Sequence, residues 1–357
     1  MSPRSKGRFP GPVRALALAL VAVLGSSACQ PNRFVSGWIP YWNSTSGTGA
    51  INDANASTLF GEVSLFWYGT RTDGSIGLNG TAGTLTTTVN ALRAKGLPVV
   101  PTIADGTAAP TMSNIIANGT TRANHVQNIV NLVVNNGYDG IDIDYEVFAF
   151  SQVAQWNTIK PNWVTFVNDL ANALHQRGKL LSVTVPAVWN LGNSGYKVYA
   201  QDQIAGAVDR LRLMVYDWSV GTAGPIAPLG WVQQVIDYSS SVVPVSKLQL
   251  GVPAYGRHWA TKVNPNDVCP AGSTFTDAIT MSEVAPLAAA HGVTPTRDIS
   301  GELTFSWVEG SIGEQVVTSA PPTIAPPSNT APSLGQPADG SPVLAKRVRP
   351  SATAVCP

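Results

Sequence analysis

The sequence has few charged residues, 12% of its 357 positions, and its acidic and basic side chains nearly cancel to a net charge of +1. Without an excess of one sign there is no electrostatic reason to expect nucleic acid or an anionic membrane surface as a partner. The sequence also lacks a Gly-rich phosphate loop and repeats at solenoid periods. Its four histidines have no paired spacing that would indicate a metal site. The length suits one large domain with tails.

Long apolar runs are scarce too, and the clearest one, Ala15–Leu24, lies near the N-terminus. It is too short to span a bilayer, and with the small residues after it and the basic residues before it, it predicts a secretory signal peptide over residues 1–28. Cleavage after Ala28 would leave Cys29 first, as in bacterial lipoproteins, although Ser26 stands where such signals carry leucine. A secreted or cell-surface bacterial protein is expected, with lipidation of Cys29 left open. The basic residues are Arg4, Lys6, Arg8 and Arg14.

Cysteine is equally rare, with three in the chain. If Cys29 is lipidated or removed, Cys269 and Cys356 remain as a candidate disulfide pair in an oxidising compartment. Their spacing alone does not establish the bond.

What the sequence does contain is a regular alternation of short β-branched or aromatic runs with amphipathic stretches. This alternation is typical of a parallel α/β barrel of the TIM (β/α)8 type and argues against a sandwich. The predicted strands are Phe34–Ile39, Val63–Tyr68, Leu97–Ile103, Tyr138–Glu146, Leu181–Pro186, Leu211–Tyr216 and Leu248–Ala254. The predicted helices are Leu85–Lys95, Arg122–Val134, Trp163–Arg177 and Trp231–Ser239.

The rhythm changes after the seventh strand. A helix over Ser282–His291 and an extended piece over Glu302–Trp307 predict a small α+β insertion at about 258–308, within a barrel region of 29–318. From residue 319 to 357 the chain is rich in Pro, Ser and Ala, a composition that predicts an extended C-terminal tail.

The fourth strand reads Y-D-G-I-D-I-D-Y-E and carries three carboxylates at alternate positions, Asp142, Asp144 and Glu146. Alternate side chains of a strand share a face, so these acids face one way while the residues between them, which are apolar or aromatic, face the other. Three neighbouring carboxylates cannot all ionise freely, because each negative charge raises the proton affinity of the others. The outermost, Glu146, is therefore a candidate general acid at the C-terminal end of the strand, where such barrels carry their active sites.

The ends of the sixth and seventh strands add polar and aromatic groups to the same rim. The sixth strand ends in Met214, Tyr216, Asp217 and Trp218, and the seventh is followed by Tyr255 and Arg257.

These motifs together resemble family 18 of the glycoside hydrolases, the family of chitinases and related N-acetylglucosaminidases. Its D-x-x-D-x-D-x-E signature stands here as Asp139, Asp142, Asp144 and Glu146, and its M-x-Y-D motif as Met214, Tyr216 and Asp217. The segments G-W-I-P-Y-W, G-P-I-A-P-L-G-W-V and L-G-V-P-A-Y-G-R resemble the bacterial branch that trims peptidoglycan and spore cortex. The resemblance covers roughly residues 34–307.

The resemblance implies a retaining, substrate-assisted hydrolysis of β-1,4-linked N-acetylglucosamine in chitin or peptidoglycan. Glu146 would protonate the glycosidic oxygen, Asp144 would stabilise the substrate's acetamido group, and Asp142 would partner Asp144. Tyr216 would hold the acetamido oxygen and Asp217 would bind sugar. No cofactor or metal is implied, and a monomer is expected. Further candidate sugar contacts are Tyr41, Trp67, Met214, Trp218, Tyr255 and Arg257, and Asp139 and Gly140 form the structural part of the motif.

One element of the family is missing from the sequence pattern, the Gly-rich eighth strand that ends in Trp. After Trp307 only Gln315–Thr318 and residues 343–345 resemble strands. Either an atypical segment at 342–348 forms the eighth strand, or the chain is truncated or altered at its C-terminus. An unclosed barrel exposes two strand edges, so a non-catalytic glycan-binding barrel or an impaired hydrolase is the alternative reading.

Overall fold

The structure is a computed structural model, and it describes residues 34–43, 49, 51–52, 56–262, 273–309 and 312–318. The chain divides into two units, Met1–Phe34 and Val35–Pro357. Only Phe34 of the first unit is described, and every element given below belongs to the second.

A sheet of seven parallel strands forms the centre of the second unit, in the order β1-β2-β4-β5-β6-β9-β10, with β3 paired antiparallel to β2. A short hairpin, β7 and β8, follows β6. The strands are β1 (Ser36–Pro40), β2 (Glu62–Thr70), β3 (Ile76–Leu78), β4 (Thr102–Ala104), β5 (Gly140–Asp144), β6 (Leu180–Pro186), β7 (Val188–Trp189), β8 (Ser194–Gly195), β9 (Arg210–Met214) and β10 (Leu248–Gly251).

Helices connect these strands, as the alternating pattern predicts. Their apolar side chains pack against the outward side chains of the sheet; Ile141 and Ile143 of β5, for example, are fully buried among helical residues of the core. The helices are α1 (Ala56–Leu59), α2 (Ala82–Ala94), α3 (Thr111–Ala117), α4 (Gly119–Asn135), α5 (Val147–Ser151), α6 (Trp156–His175), α7 (Gln201–Ile204), α8 (Leu229–Val242) and α9 (Met281–Ala290). None in the described part of the chain is long and apolar enough to cross a membrane.

The curled parallel sheet with its helices has the architecture of an incomplete TIM barrel, which confirms the predicted fold class. Within the described residues, no strand pairs with the outer edge of β1 or of β10. A side-chain hydrogen bond joins these two edge strands, because Gln249 Nε2 donates to Ser36 Oγ at 3.2 Å. The segment 342–348, considered above for an eighth strand, lies outside the described residues, as does the tail 319–357.

After β10 the chain forms a second, antiparallel sheet in the order β12-β11-β15-β14-β13, which packs with α9 around a small core of its own. This is the predicted α+β insertion, and it runs from Tyr255 to Thr318, beyond 258–308 on both sides. Gln315–Thr318 belongs to this sheet and pairs antiparallel with β11 and β14, so it is not a barrel strand. The strands are β11 (Tyr255–Lys262), β12 (Ser273–Thr280), β13 (Thr296–Arg297), β14 (Leu303–Glu309) and β15 (Ile312–Thr318).

Candidate active site

The acidic strand β5 lies at the middle of the parallel sheet, between β4 and β6, and all five of its residues are buried. Its register places Asp142 beside Thr102 and Ser182, and Asp144 beside Ala104. The close approach of β6 requires glycine at the start of β5, because a Cβ at Gly140 would lie 2.5 Å from the carbonyl oxygen of Leu180. The neighbouring strands therefore fix the height of the carboxylates in the barrel.

Asp142 is fully buried and is surrounded by hydrogen-bond donors. Thr102 Oγ1 donates to its Oδ2 at 2.9 Å, and Thr184 Oγ1 lies 3.0 Å from the same oxygen. Arg212 Nη1 lies 3.2 Å from Oδ2 in an ion pair with no solvent exposure. A carboxylate that receives donors and a cation in a buried site is stabilised in its charged form.

Asp144, two residues along the same face, has the opposite surroundings. Its side chain is 6% exposed, and among the described residues no donor reaches its buried Oδ1. Burial raises the pKa of Asp144 well above its usual range, and the negative charges of Glu146 and Asp142 raise it further, against a smaller opposing effect of Arg212. Asp144 is therefore the carboxyl group of this strand that is best placed to hold a proton at neutral pH.

Glu146 follows the strand, at the point where α5 begins, and its side chain is half-buried at the rim. Burial raises its pKa from 4.5 to about 7, and the negative charges of Asp217 and Asp105 add to the shift. A carboxylic acid that is protonated near neutral pH and lies at the barrel rim can act as a general acid toward a bound substrate.

Tyr216 and Asp217 lie just after β9, which is separated from β5 by β6 alone, and they belong to the same rim. Burial raises the pKa of the Tyr216 hydroxyl well above its usual range, and the negative charges of Asp144 and Glu146 raise it further. The hydroxyl therefore keeps its proton and remains a hydrogen-bond donor. Asp217 has a left-handed backbone with φ of 61°, and its Oδ1 accepts from Tyr255 at 2.6 Å and from Arg257 Nε at 2.8 Å. The first strand of the insertion thus supplies two side chains that hold Asp217.

Four further residues that the sequence predicts as sugar contacts differ in their exposure and packing. Trp67 is not available to a sugar, because it is 1% exposed and donates from Nε1 to the carbonyl of Ile39, so its assignment as a sugar contact is wrong. Trp218 is half-buried and packs on Trp231 with ring centroids 5.1 Å apart. Tyr41 is half-buried after β1, and Met214 is half-buried at the end of β9.

Asp139, the first acid of the motif, lies at the entry to β5. Its Oδ2 accepts from the backbone N–H of Val99 at 2.8 Å, and its backbone carbonyl accepts from Leu180 at 3.0 Å. Asp139 therefore joins three neighbouring segments of the barrel and is not part of the rim.

Three residues near the rim were not identified from the sequence. Asp105 follows β4, and its N–H donates to the carbonyl of Asp144 at 3.2 Å while burial raises the pKa of its carboxyl. Trp42, directly after Tyr41, is 63% exposed and is the better candidate for a sugar platform. Tyr196 packs edge-on against Phe150, 4.9 Å between centroids, and burial and the charge of Glu146 raise the pKa of its hydroxyl. The position of Asp105 at a strand end was a signal for the first of these.

The predicted signal peptide, Cys29, Cys269 and Cys356 all lie outside the described residues. Lipidation and the disulfide stay predictions. No group of three or more His, Cys, Asp or Glu side chains suited to a metal ion occurs in the described part of the chain.

The family model of glycosyl hydrolases family 18 matches residues 38–318, so the chain belongs to this family. Among curated proteins it is 29% identical over 168 residues to Bacillus subtilis (strain 168) YdhD, whose name assigns it to the sporulation-specific glycosylases; the match covers 46% of this chain and 38% of YdhD. It is 28% identical over 169 residues to mouse chitotriosidase-1, covering 41% and 35%. The matches therefore span about a third of these relatives.

Solved structures share the fold over a larger part of the chain. The C-terminal domain of a Desulfitobacterium hafniense DCB-2 protein named as a chitinase has a TM-score of 0.70 at 25% identity, covering 80% of this chain and 86% of that one. The spore cortex-lytic enzyme SleL of Bacillus megaterium QM B1551 has a TM-score of 0.65 at 18% identity, covering 79% and 63%, and shows the fold alone. The chain is thus a chitinase-like member of the family.

Proposed function

We propose that this protein hydrolyses β-1,4-linked N-acetylglucosamine glycans with retention of configuration, using the substrate's own acetamido group. The observation that carries the proposal is the succession of two acids at the end of β5: Asp144, whose buried Oδ1 receives no donor among the described residues, and the half-buried Glu146, whose pKa is raised. Burial and neighbouring carboxylates raise the pKa of each group, which favours its protonated form, and both groups lie at the C-terminal end of a central barrel strand.

In the first step, Glu146 gives its proton to the glycosidic oxygen, and the bond from that oxygen to the anomeric carbon breaks. The acetamido carbonyl oxygen attacks the same carbon and forms a cyclic oxazolinium ion, whose N–H is stabilised by the Asp144–Asp142 pair. Tyr216 donates a hydrogen bond to the acetamido oxygen. In the second step water attacks the anomeric carbon, gives its proton to the Glu146 carboxylate and restores the acetamido group.

Chitin and the glycan strands of peptidoglycan both carry the required acetamido group. The relatives named for sporulation and spore cortex favour a cell-wall glycan, and the relative named as a chitotriosidase favours chitin oligomers. The rim residues do not distinguish the two, so both substrates belong in the test.

The test compares a chromogenic chitotrioside with the matching cellotrioside, which lacks the acetamido group, and with purified peptidoglycan. We expect release from the chitotrioside, none from the cellotrioside, and loss of nearly all turnover in Glu146→Gln with retained binding of chitotriose. Turnover of both glycosides, or full activity of Glu146→Gln, would contradict the mechanism.

A second candidate is a glycan-binding barrel without turnover, favoured by the unpaired outer edges of β1 and β10 among the described residues. A melting curve run beside the assay separates the two. Cooperative melting and chitotriose binding without turnover would support the binding protein.

We also propose, from the sequence alone, that the protein is exported and anchored through Cys29. Metabolic labelling with a radioactive fatty acid tests this, with Cys29→Ala as the matched control. Label in neither protein would refute the anchor.

A further inference from the structure

Arg212 lies on β9 with its guanidinium inside the barrel and no solvent exposure. A buried cation is expensive unless anions and hydrogen-bond acceptors surround it, so its contacts identify its role. The acceptors are drawn from four other strands. They are Gln249 Oε1 at 2.9 Å from Nε, Ser64 Oγ at 2.7 Å from Nη1, Glu62 Oε1 at 2.5 Å and Ser36 Oγ at 3.4 Å from Nη2, and Asp142 Oδ2 at 3.2 Å from Nη1.

The charges around Arg212 balance. Arg210 Nη1 lies 3.0 Å from Glu62 Oε2, so two guanidinium groups and the carboxylates of Glu62 and Asp142 form one cluster. Glu62 and Asp142 share Arg212 and therefore compete for its charge. The indole of Trp38 completes the enclosure, with the Arg212 guanidinium carbon 4.9 Å from its ring centroid.

Asp142 also receives a hydroxyl whose orientation is fixed. Trp38 Nε1 donates to Thr102 Oγ1 at 3.2 Å, so the Thr102 hydroxyl hydrogen is directed to Asp142. The other groups facing Asp142 are Thr184 from β6, Asp144 on its own strand and the hydroxyl of Tyr216. Cationic charge reaches Asp142 directly from Arg212.

We propose that Arg212 is a positioning residue that holds Asp142 as a carboxylate in one orientation, so that the proton of the Asp142–Asp144 pair lies on Asp144. This inference rests on the proposed function, since it gives the protonated carboxyl to the residue that faces the acetamido group. Arg212 itself touches neither substrate nor the reacting atoms.

The test is the pH dependence of kcat/KM. Without Arg212, the buried pair takes up a second proton more readily, and activity on the acid side is lost at higher pH. We expect Arg212→Met to move the acid limb upward by about one pH unit, a tenfold change in proton affinity, and to leave the alkaline limb in place. A lower rate at every pH with an unmoved acid limb would show a merely structural role and overturn the proposal.

Two variants serve as controls of opposite kind. Arg212→Lys keeps a cation without the planar fork, so its acid limb should lie between those of the wild type and Arg212→Met. Glu62→Gln removes the competing carboxylate, so the charge of Arg212 acts more fully on Asp142 and the acid limb should move downward. An unchanged or raised acid limb in Glu62→Gln would overturn the proposal. This outcome decides the matter even if Arg212→Met does not fold.

A second measurement does not depend on turnover. The side-chain carboxyl carbons of 13C-labelled aspartate are titrated by NMR in the unliganded protein, with Asp142→Asn used for assignment. The Asp142–Asp144 pair should take up its second proton at higher pH in Arg212→Lys and at lower pH in Glu62→Gln than in the wild type. These shifts in a protein that cleaves no glycan would refute the proposed function while supporting the role of Arg212; their absence in an active enzyme would refute Arg212 alone.

Discussion

Arg257 holds Asp217 at two points, with Nε 2.8 Å from Oδ1 and Nη2 2.5 Å from Oδ2. The arginine belongs to the first strand of the insertion, whereas the aspartate follows the sixth parallel strand of the barrel. Paired charge-assisted hydrogen bonds fix both position and orientation. The insertion therefore determines where one of the rim carboxylates lies, and this carboxylate is the main charged neighbour that raises the pKa of Glu146.

The alkaline limb of the pH–activity profile should depend on the charge of Asp217. The pKa of Glu146 is about 7, so the general acid loses its proton, and activity falls, as pH rises through this value. Asp217→Asn removes a negative charge, lowers the pKa of Glu146, and should move the alkaline limb to lower pH. The pH profile of kcat/KM on a chromogenic chitotrioside measures the shift of the alkaline limb. Asp105→Asn should shift this limb in the same direction but by a smaller amount. An upward shift in either variant would contradict the electrostatic explanation.

Arg257→Met should have the opposite effect on the same limb. Loss of the guanidinium leaves the charge of Asp217 uncompensated, which raises the pKa of Glu146 and extends activity to higher pH. Its KM should also rise, because Asp217 loses its fixed orientation. Arg257→Lys serves as the charge-preserving control, in which the limb should stay near that of the wild type while KM still rises. Movement of the limb to lower pH in Arg257→Met would refute the coupling.

Much of the site could be predicted because it depends on one strand. The period of two placed Asp142 and Asp144 on one face of β5, and the apolar residues that alternate with them required a core on the other. The strand is shorter than the predicted Tyr138–Glu146, because it ends at Asp144 and Glu146 already has a helical backbone at the start of α5. The contacts of Asp217 could not be read in this way. They depend on β11 turning back over the rim, and the pairing of distant strands has no local signal.

The strand ends show a similar division. β4 is shorter than the predicted Leu97–Ile103 and spans Thr102–Ala104. Pro98 and Pro101 have no N–H and serve only as acceptors, for Val63 at 3.0 Å and Asp142 at 2.8 Å.

Trp67 failed as a sugar contact because an aromatic residue in a strand has the same composition signal whether it faces the rim or the core.

The raised pKa of Glu146 also predicts an effect on stability. The folded protein holds this proton up to about pH 7, whereas the unfolded chain releases it near 4.5, so folding loses stability as pH rises between these values. Glu146→Gln removes this loss and should melt a few degrees higher than the wild type at pH 8. The corresponding gain in the free energy of unfolding is no more than about 3 kcal/mol. At pH 4 the two proteins should melt alike. If Glu146→Gln melts lower than the wild type at pH 8, the loss of side-chain contacts outweighs the removal of the charge, and the prediction is contradicted.

The close contact at the start of β5 gives a prediction on folding that is independent of substrate. A Cβ at Gly140 would lie 2.5 Å from the carbonyl oxygen and 2.7 Å from the Cβ of Leu180, so Gly140→Ala must push β5 away from β6. We expect a loss of about 1–3 kcal/mol in the free energy of unfolding, together with a lower kcat, because the displaced strand carries the carboxylates. Gly230→Ala in α8 is the matched control, since its Cβ would meet nothing within 4 Å and alanine favours the helix. Denaturant unfolding of both variants measures the difference, and equal stability of the two would mean that the sheet absorbs the extra methyl group without moving its active-site strand.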